Sequence, residues 1–325
     1  MSMLLGRGQC GAHITLLFTI DDSSEDPVNQ GSRGAGICLN DGVEAIAKGE
    51  DGSGELIVRF MHGKYDSGIY RDVLSELISE ITEIGDFDWE LDIRMSLPTS
   101  QGFGMSASGA VASSMAIQRA IGIPHEECVR RSFLVAHIVE RKRSSGLGDT
   151  TALSSGGVER RITPGSPFSG RLLDSGPGVS QGWSVEIPIL ICWKEKTGIH
   201  TSSYIDSEEW RRKICRAGEI AMERIGEGEW GEHRWSELIE ESIIFSSESG
   251  LEMDASRLEI IESVNDAINR SGFSDSLSAM LCMLGESVVI VPNDPHREED
   301  WIYKISEALE ISGLSSFPSR VGKLV

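Results

Sequence analysis

Between positions 98 and 110 the chain reads Pro-Thr-Ser-Gln-Gly-Phe-Gly-Met-Ser-Ala-Ser-Gly-Ala, and it then enters the helix-forming run 111–121. No other segment restricts the fold and chemistry as much. A glycine-rich turn entering a helix leaves several backbone N–H groups without helical partners, and the helix dipole adds positive potential at the same point. Gly102 and Gly104 have no side chain to hold an anion off the backbone. The segment therefore reads as a cradle for the phosphates of a nucleotide. A helix start of small residues packed tightly against a sheet is the alternative.

The two common glycine motifs do not account for it. The chain contains no Gly-x-x-x-x-Gly-Lys-Ser/Thr, so it is not a P-loop protein, and Gly102, Gly104 and Gly109 miss the dinucleotide spacing. Composition narrows the classes further. With 325 residues, 39% hydrophobic and 25% charged, the chain is long enough for two globular domains. We place the division at 182/183, behind the Gly-, Ser- and Pro-rich stretch 156–182. A net charge of −21 argues against nucleic acid and anionic membrane as partners. Between Arg119 and Arg161 eight basic residues stand against five acidic ones, either as surface scatter or as the place where anionic ligands are held. No apolar run is long enough to span a membrane, and the N-terminus shows no secretory pattern. Six scattered cysteines without a Cys-x-x-Cys pair suggest reduced thiols in a cytoplasmic protein.

Periodicity predicts strands over 12–20, 37–39, 43–47, 56–61 and 89–97, the second and third joined by a turn at Asn40-Asp41-Gly42. Helices are predicted over 70–84 and from Pro124 to about 143. In the second half a strand is predicted over 185–192, followed by helices over 207–225, 235–245 and 254–268. Residues 280–291 read as a helix end, a break at Gly285 and a strand, and 302–310 as a last helix. Mixed helices and strands without regular βαβ alternation indicate an α+β fold.

Several side chains near the glycine segment are suited to chemistry. His137 and Glu140 share a face of the helix before 143. A carboxylate turned inward among Val135, Ile138 and Val139 needs a partner. Either it helps hold Mg²⁺ together with the Ser106 hydroxyl, as one carboxylate and one hydroxyl do in phosphoryl transfer, or it pairs with an arginine. Asp149, in Gly-Leu-Gly-Asp-Thr-Thr, either orients or deprotonates an attacking hydroxyl or caps the following helix. Arg33, between glycines beside Ser32, and Arg161 are two-pronged holders for an acidic substrate. His13, on an apolar strand, suits a core position as well as a ligand contact.

Together these segments resemble the GHMP kinases, and within them the archaeal pantoate-kinase branch. Pro98, Gly102, Phe103, Gly104, Ser106 and Ala107 fall in register with the family's second motif, and Met105 replaces its first serine. His13-Ile14-Thr15, the Gly31–Gly36 segment Gly-Ser-Arg-Gly-Ala-Gly, Ala136-His137 with Glu140, Gly146-Leu147-Gly148-Asp149 and Met283-Leu284-Gly285 follow in the family's order. The resemblance implies an S5-like N-terminal domain and a ferredoxin-like C-terminal domain with ATP between them. It implies phosphorylation of the 4-hydroxyl of (R)-pantoate on the way to coenzyme A, in a homodimer. It assigns the phosphates to Pro98, Gly102, Phe103, Gly104, Met105, Ser106, Ala107 and Ser108, Mg²⁺ to Ser106 and Glu140, and catalysis to Asp149. Pantoate falls to Ser32, Arg33, His137, Arg161 and His13. Leu16-Leu17-Phe18 departs from the family after His-Ile-Thr. Kinases for mevalonate, homoserine or shikimate, and a non-catalytic ATP-binding regulator, are the competing readings.

Overall fold

The structure, a computed structural model, describes residues 3–195 and 207–324. Its first strand, β1 (Leu4–Phe18), runs antiparallel to β2 (Gly34–Asp51) over nearly their whole lengths. The turn expected at Asn40-Asp41-Gly42 is instead the middle of this single 18-residue strand. Gly42 serves close approach there. It faces Gly11, where the register shifts, and a Cβ on it would overlap the Cys10 carbonyl oxygen. A glycine inside a strand commonly marks such an irregularity.

Next in the chain come β3 (Leu56–Phe60), α1 (Gly68–Glu80), β4 (Phe87–Met95), α2 (Met105–Ala120), α3 (His125–Lys142) and α4 (Asp149–Ser155). They are followed by β5 (Val158–Thr163), the short pair β6 (Phe168–Ser169) and β7 (Asp174–Ser175), and β8 (Val179–Trp183). The first sheet has the order β3-β4-β2-β5-β8, with β1 also paired to β2. Its β3–β4 pair is parallel and the others are antiparallel. Residues 158–163 and 179–183, within the Gly-, Ser- and Pro-rich stretch and at its end, belong to this sheet. Helix α2 starts well before residue 111, because its first turn is built of the small residues Ser106, Ala107, Ser108 and Gly109. It lies directly on β1, so close that a Cβ at Gly8 would overlap the Ala112 carbonyl.

The second sheet is assembled from β9 (Pro188–Trp193), β10 (Leu277–Leu281), β11 (Ser287–Pro292) and β12 (Ser315–Arg320), in the order β10-β11-β9-β12, all antiparallel. Helices α5 (Glu208–Ile225), α6 (Trp235–Glu248) and α7 (Ala255–Ser271) separate β9 from β10, and α8 (Ile302–Ile311) separates β11 from β12. This strand order is that of a ferredoxin-like unit. The helix end expected at 280 is strand β10 turning into the β10–β11 hairpin. Sequence patterning also missed β12, whose Ser-Ser-Phe-Pro-Ser-Arg is too polar to alternate and carries Pro318 on an edge strand. No helix among the described residues is long and apolar enough to cross a membrane.

The hairpin brings the second sheet onto the glycine segment. Phe103, fully buried, packs edge-on against Trp193 of β9 with ring centroids 5.9 Å apart. Ser287 Oγ donates to the Gln101 carbonyl, and the Met283 N–H donates to the Thr15 carbonyl at 3.0 Å. At Gly285 a Cβ would overlap the Gln101 carbonyl and stand 2.7 Å from the Gly102 nitrogen. The obstacle is backbone, so it cannot swing aside. Gly285→Ala is therefore expected to push the hairpin off the loop, at an overpacking cost of about 1–3 kcal/mol. For a chain of this size that lowers Tm by a few degrees. Thermal unfolding of wild type and variant checks this; an unchanged Tm would show that the loop and hairpin are not locked together.

Candidate active site

A cavity of about 350 Å³ opens between the glycine segment, the α3–α4 connection and the hairpin tip. Gly102 at φ +77° and Gly104 at φ +59° carry the chain through left-handed conformations into α2. Gly104 stands at the N-cap and cannot cap with a side chain, so the first-turn N–H groups have no capping oxygen from it. Gly102, Gly104, Met105 and Ser106 line the cavity. Ser108 is buried elsewhere, donating to the Gly11 carbonyl at 2.6 Å and pinning the helix start to β1. Ala107 is buried as well, and neither Pro98, Ala107 nor Ser108 lines the cavity.

Two carboxylates meet at this helix start. Glu140, on α3 and 3% exposed, accepts hydrogen bonds on Oε1 from Ser106 Oγ at 2.6 Å and Ser145 Oγ at 3.0 Å. It forms no ion pair with an arginine among the described residues. Arg141 donates to Gln30 and to the Gly146 carbonyl, and Arg143 pairs with Asp66 and Asp72. Burial, reinforced by the charge of Asp149, pushes the Glu140 carboxyl up to about 7, although its hydroxyl partners pull the other way. A Cβ at Gly146 would overlap Glu140 Oε2 and stand 3.0 Å from Asp149 Oδ2, so both free oxygens crowd one point.

That donor set, buried carboxylate oxygen with two hydroxyls and a second carboxylate beside it, is hard and underneutralised. It fits Mg²⁺, which takes few protein ligands and keeps its waters. Among the described residues no cluster of three or more His, Cys, Asp or Glu gathers to hold a metal without water.

Asp149 is the first residue of α4 but does not cap it; Gly148 holds the cap position. Its Oδ1 takes the Nδ1 of His13 at 2.7 Å, and its side chain, 20% exposed, lines the cavity. Burial alone would raise its carboxyl, but the His13 hydrogen bond and charge, with Arg161 behind, outweigh that and lower it. Asp149 is thus ionised at neutral pH while Glu140 beside it is held near the point of protonation.

Of the residues assigned to an acidic substrate, only Ser32 lines the cavity. Arg33 turns away to Glu219 on α5, at 2.6 Å. Arg161 is buried behind Ser32 at Gly148, within 3.5 Å of Glu159. His13 is buried beneath Asp149. His137 is buried too; its Nε2 donates to the Pro27 carbonyl at 3.0 Å and its Nδ1 meets Thr150 Oγ1 at 3.1 Å. The cavity's cation among the described residues is instead Arg143, joined by Tyr65 and Tyr70. The available signal for Arg143 was its position three residues beyond Glu140, at the end of the same helix.

Burial of His137 lowers its pKa to about 4, with Arg141 adding to the effect. A folded-state pKa below the unfolded value near 6.5 means that the unfolded chain binds the extra proton first. Stability is therefore whole above pH 6.5 and is lost as pH falls toward 4. We expect His137→Gln to show a shallower fall of Tm between pH 6.5 and 4 than the wild type, in ligand-free buffer. Parallel curves would disprove the assignment.

A glycine loop at a helix N-terminus, two sheets clasping it, and carboxylates on the next two helices together form a site suited to an anion beside a cation. Residues 69–157 match the family model described as GHMP kinases N terminal domain. The fold matches solved structures over nearly the whole chain. One titled "Phosphotransferase related to CoA biosynthesis pathway" superposes with a TM-score of 0.76 at 22% identity, covering 98% of this chain and 97% of that one. A mevalonate kinase superposes with a TM-score of 0.61 at 13% identity, covering all of both chains.

Residues 69–157 and the fold are thus similar to those of GHMP kinases, and the curated sequence relatives are pantoate kinases. That of Thermococcus kodakarensis is 33% identical over 172 residues, 51% of this chain and 55% of that protein. The pantoate kinase of Methanospirillum hungatei is 29% identical over 48% of this chain and 52% of its own. That of Methanocaldococcus jannaschii is 28% identical over 66% and 70%. The match thus spans about half the length of the first two relatives.

Proposed function

We propose that the protein transfers the γ-phosphoryl group of ATP to the 4-hydroxyl of (R)-pantoate, giving 4-phosphopantoate and ADP, in coenzyme A biosynthesis. One observation carries the reading: the ionised Asp149 and the buried Glu140 sit together at the helix start where the glycine loop would hold phosphates. The N–H groups at the start of α2 would cradle the triphosphate, with Gly102 and Gly104 admitting it. Glu140 and Ser106, with Ser145 nearby, would hold Mg²⁺. The bound ion supplies charge neutralisation on the β- and γ-phosphate oxygens.

Asp149 accepts the hydroxyl proton at Oδ2, because Oδ1 is engaged by His13. The hydroxyl oxygen forms the new bond to phosphorus while the bond to the β-phosphate bridging oxygen breaks, and ADP leaves with that electron pair. Ser32 faces the acceptor, and Arg143 is the cation able to meet its carboxylate. Arg161 supports Ser32 across Gly148. Buried reduced thiols accord with a cytoplasmic protein; a homodimer remains the family's expectation.

The test is ADP release with ATP and Mg²⁺ in the presence of (R)-pantoate, mevalonate, homoserine, shikimate or no acceptor. Turnover with pantoate alone is the expected result. Turnover with another acceptor would retain the phosphate site and refute the pantoate assignment. ATP binding without turnover on any acceptor would refute the enzyme reading in favour of a regulator.

A further inference from the structure

Behind Asp149 lies a chain of charged side chains that never reaches the cavity. His13 of β1, wholly buried, places Nδ1 on Asp149 Oδ1 at 2.7 Å and Nε2 on Glu159 Oε1 at 3.0 Å. Glu159, on β5 and also wholly buried, has Arg161 Nη1 at 3.5 Å. β1 and β5 are not neighbours; β2 runs between them. The side chains meet across it at Gly36, which faces Thr15 on one side and Glu159 on the other. A Cβ at Gly36 would stand 2.8 Å from His13 Nε2 and 3.0 Å from Glu159 Oε1, in the gap the contact uses.

The geometry fixes the protonation. Carboxylate oxygens only accept, so an imidazole bonded to one at each nitrogen must carry a proton on both. A neutral ring could satisfy one and would leave the other carboxylate facing a lone pair. The raised pKa of His13 has the same origin: burial opposes the charge, but the hydrogen bonds to Asp149 and Glu159 and their negative charges overcome it. The Cys38 thiol, opposite His13 in the β1–β2 register, also faces this cluster, and burial raises its pKa. Asp149, Glu159 and Arg161 surround the His13 ring, and Glu140 stands on the far side of Asp149.

We propose that His13 and Glu159 are positioning residues for the phosphoryl transfer. Glu159 holds the His13 imidazolium across the sheet, and the imidazolium holds Asp149 by Oδ1, so that Oδ2 alone is presented to the acceptor hydroxyl. This places Glu159, which touches neither substrate nor cavity, in the working machinery. Among the described residues, Oε2 of Glu159 and Nε and Nη1 of Arg161 have no hydrogen-bond partner. The inference rests on Asp149 being the residue that takes the hydroxyl proton, as set out above.

The experiment is a double-mutant cycle on the full chain, with His13→Gln and Glu159→Gln each made alone and in an Asp149→Ala background. Initial rates with ATP, Mg²⁺ and pantoate give kcat and both KM values, and thermal unfolding monitors the fold. Misplacing a reacting group by a fraction of an ångström to an ångström costs up to roughly 100-fold. Each single variant is therefore expected to lower kcat roughly 10- to 100-fold with both KM values within about twofold. In Asp149→Ala neither should lower kcat further, because no side chain remains to be positioned.

Losses that persist in full in the Asp149→Ala background would overturn the proposal and make the cluster structural. So would an unchanged kcat in the single variants. If Glu159→Gln does not fold, the His13→Gln arm decides by the same criterion. Undiminished turnover of Asp149→Ala alone would instead refute the role given to Asp149, and this inference with it.

Discussion

Asp149→Asn is expected to lower turnover by roughly 10²- to 10⁴-fold, the span typical of losing a positioned acid–base group. The KM for ATP should stay within a factor of a few. The amide is close to isosteric with the carboxylate, and its oxygen can still accept from His13 Nδ1, so the α3–α4 connection keeps its shape. What disappears is the negative charge at Oδ2 and the ability to accept a proton there. Removing that charge also relieves the electrostatic pressure on Glu140, whose carboxyl is raised by burial and then by Asp149. Glu140 therefore ionises more readily in the variant, and cation binding at Ser106 and Glu140 should not weaken. A loss of turnover with ATP binding retained is then attributable to the step at the acceptor hydroxyl. Steady-state kinetics, with ATP binding measured by calorimetry on the same preparation, read both quantities. A variant that keeps more than a tenth of wild-type kcat would remove Asp149 from the chemistry.

The glycine segment was legible because its constraint is local. Backbone that must bend left-handed twice and enter a helix has few residue choices, and the sequence states them at 102 and 104. Glu140 was legible in part, since its helical face follows from spacing, but its partners do not. The contact with Ser106 joins residues 34 apart on different helices. Asp149 was open between cap and acid–base residue on sequence, and the structure excludes the cap by giving its Oδ1 to His13. His13 in turn reads as a core histidine, and it is buried as one. The role proposed for it depends on β5, which brings Glu159, 146 residues on, to the other ring nitrogen.

The failures share a cause. Asn40-Asp41-Gly42 has the composition of a turn, and only β1, pairing along its full length, makes it strand. Arg33 seemed a ligand for an acidic substrate because glycines surround it, but the glycines serve the sheet, and its side chain meets Glu219 on a helix from the other half of the chain. In each case the deciding partner is distant in sequence. Local signals identify which residues are unusual; whether they face solvent, sheet or cavity is settled by strand pairing that no short window contains.

Gly146→Ala should abolish most of the activity by a different route, without touching a functional group. Gly146 does not occupy a left-handed conformation, so alanine fits its backbone and the effect is that of the methyl alone. That methyl would overlap Oε2 of Glu140 and stand 3.0 Å from Oδ2 of Asp149. Neither carboxylate can retreat. Glu140 is buried and tied at Oε1 to Ser106 and Ser145, and Asp149 is tied at Oδ1 to His13. The methyl therefore strains both ties, forcing Glu140 Oε2 by about 1 Å and Asp149 Oδ2 by a few tenths of an ångström, and a kcat loss of roughly 100-fold is the expected result. The overpacking itself costs about 1–3 kcal/mol and leaves the protein folded.

The Mg²⁺ concentration giving half-maximal rate should rise as well, because one of the crowded oxygens is a proposed ligand. Gly85→Ala is the matched control. Its nearest neighbour is the Ile78 side chain at 3.5 Å, an ordinary contact, neither residue lines the cavity, and it should leave kcat and Mg²⁺ dependence unchanged. If Gly146→Ala behaved like Gly85→Ala, the pocket between the two carboxylates could not be where the cation and the acceptor meet. A rise in Mg²⁺ requirement with little loss of kcat at saturating Mg²⁺ would separate the two oxygens, leaving Glu140 as ligand and denying Asp149 its contact with the acceptor.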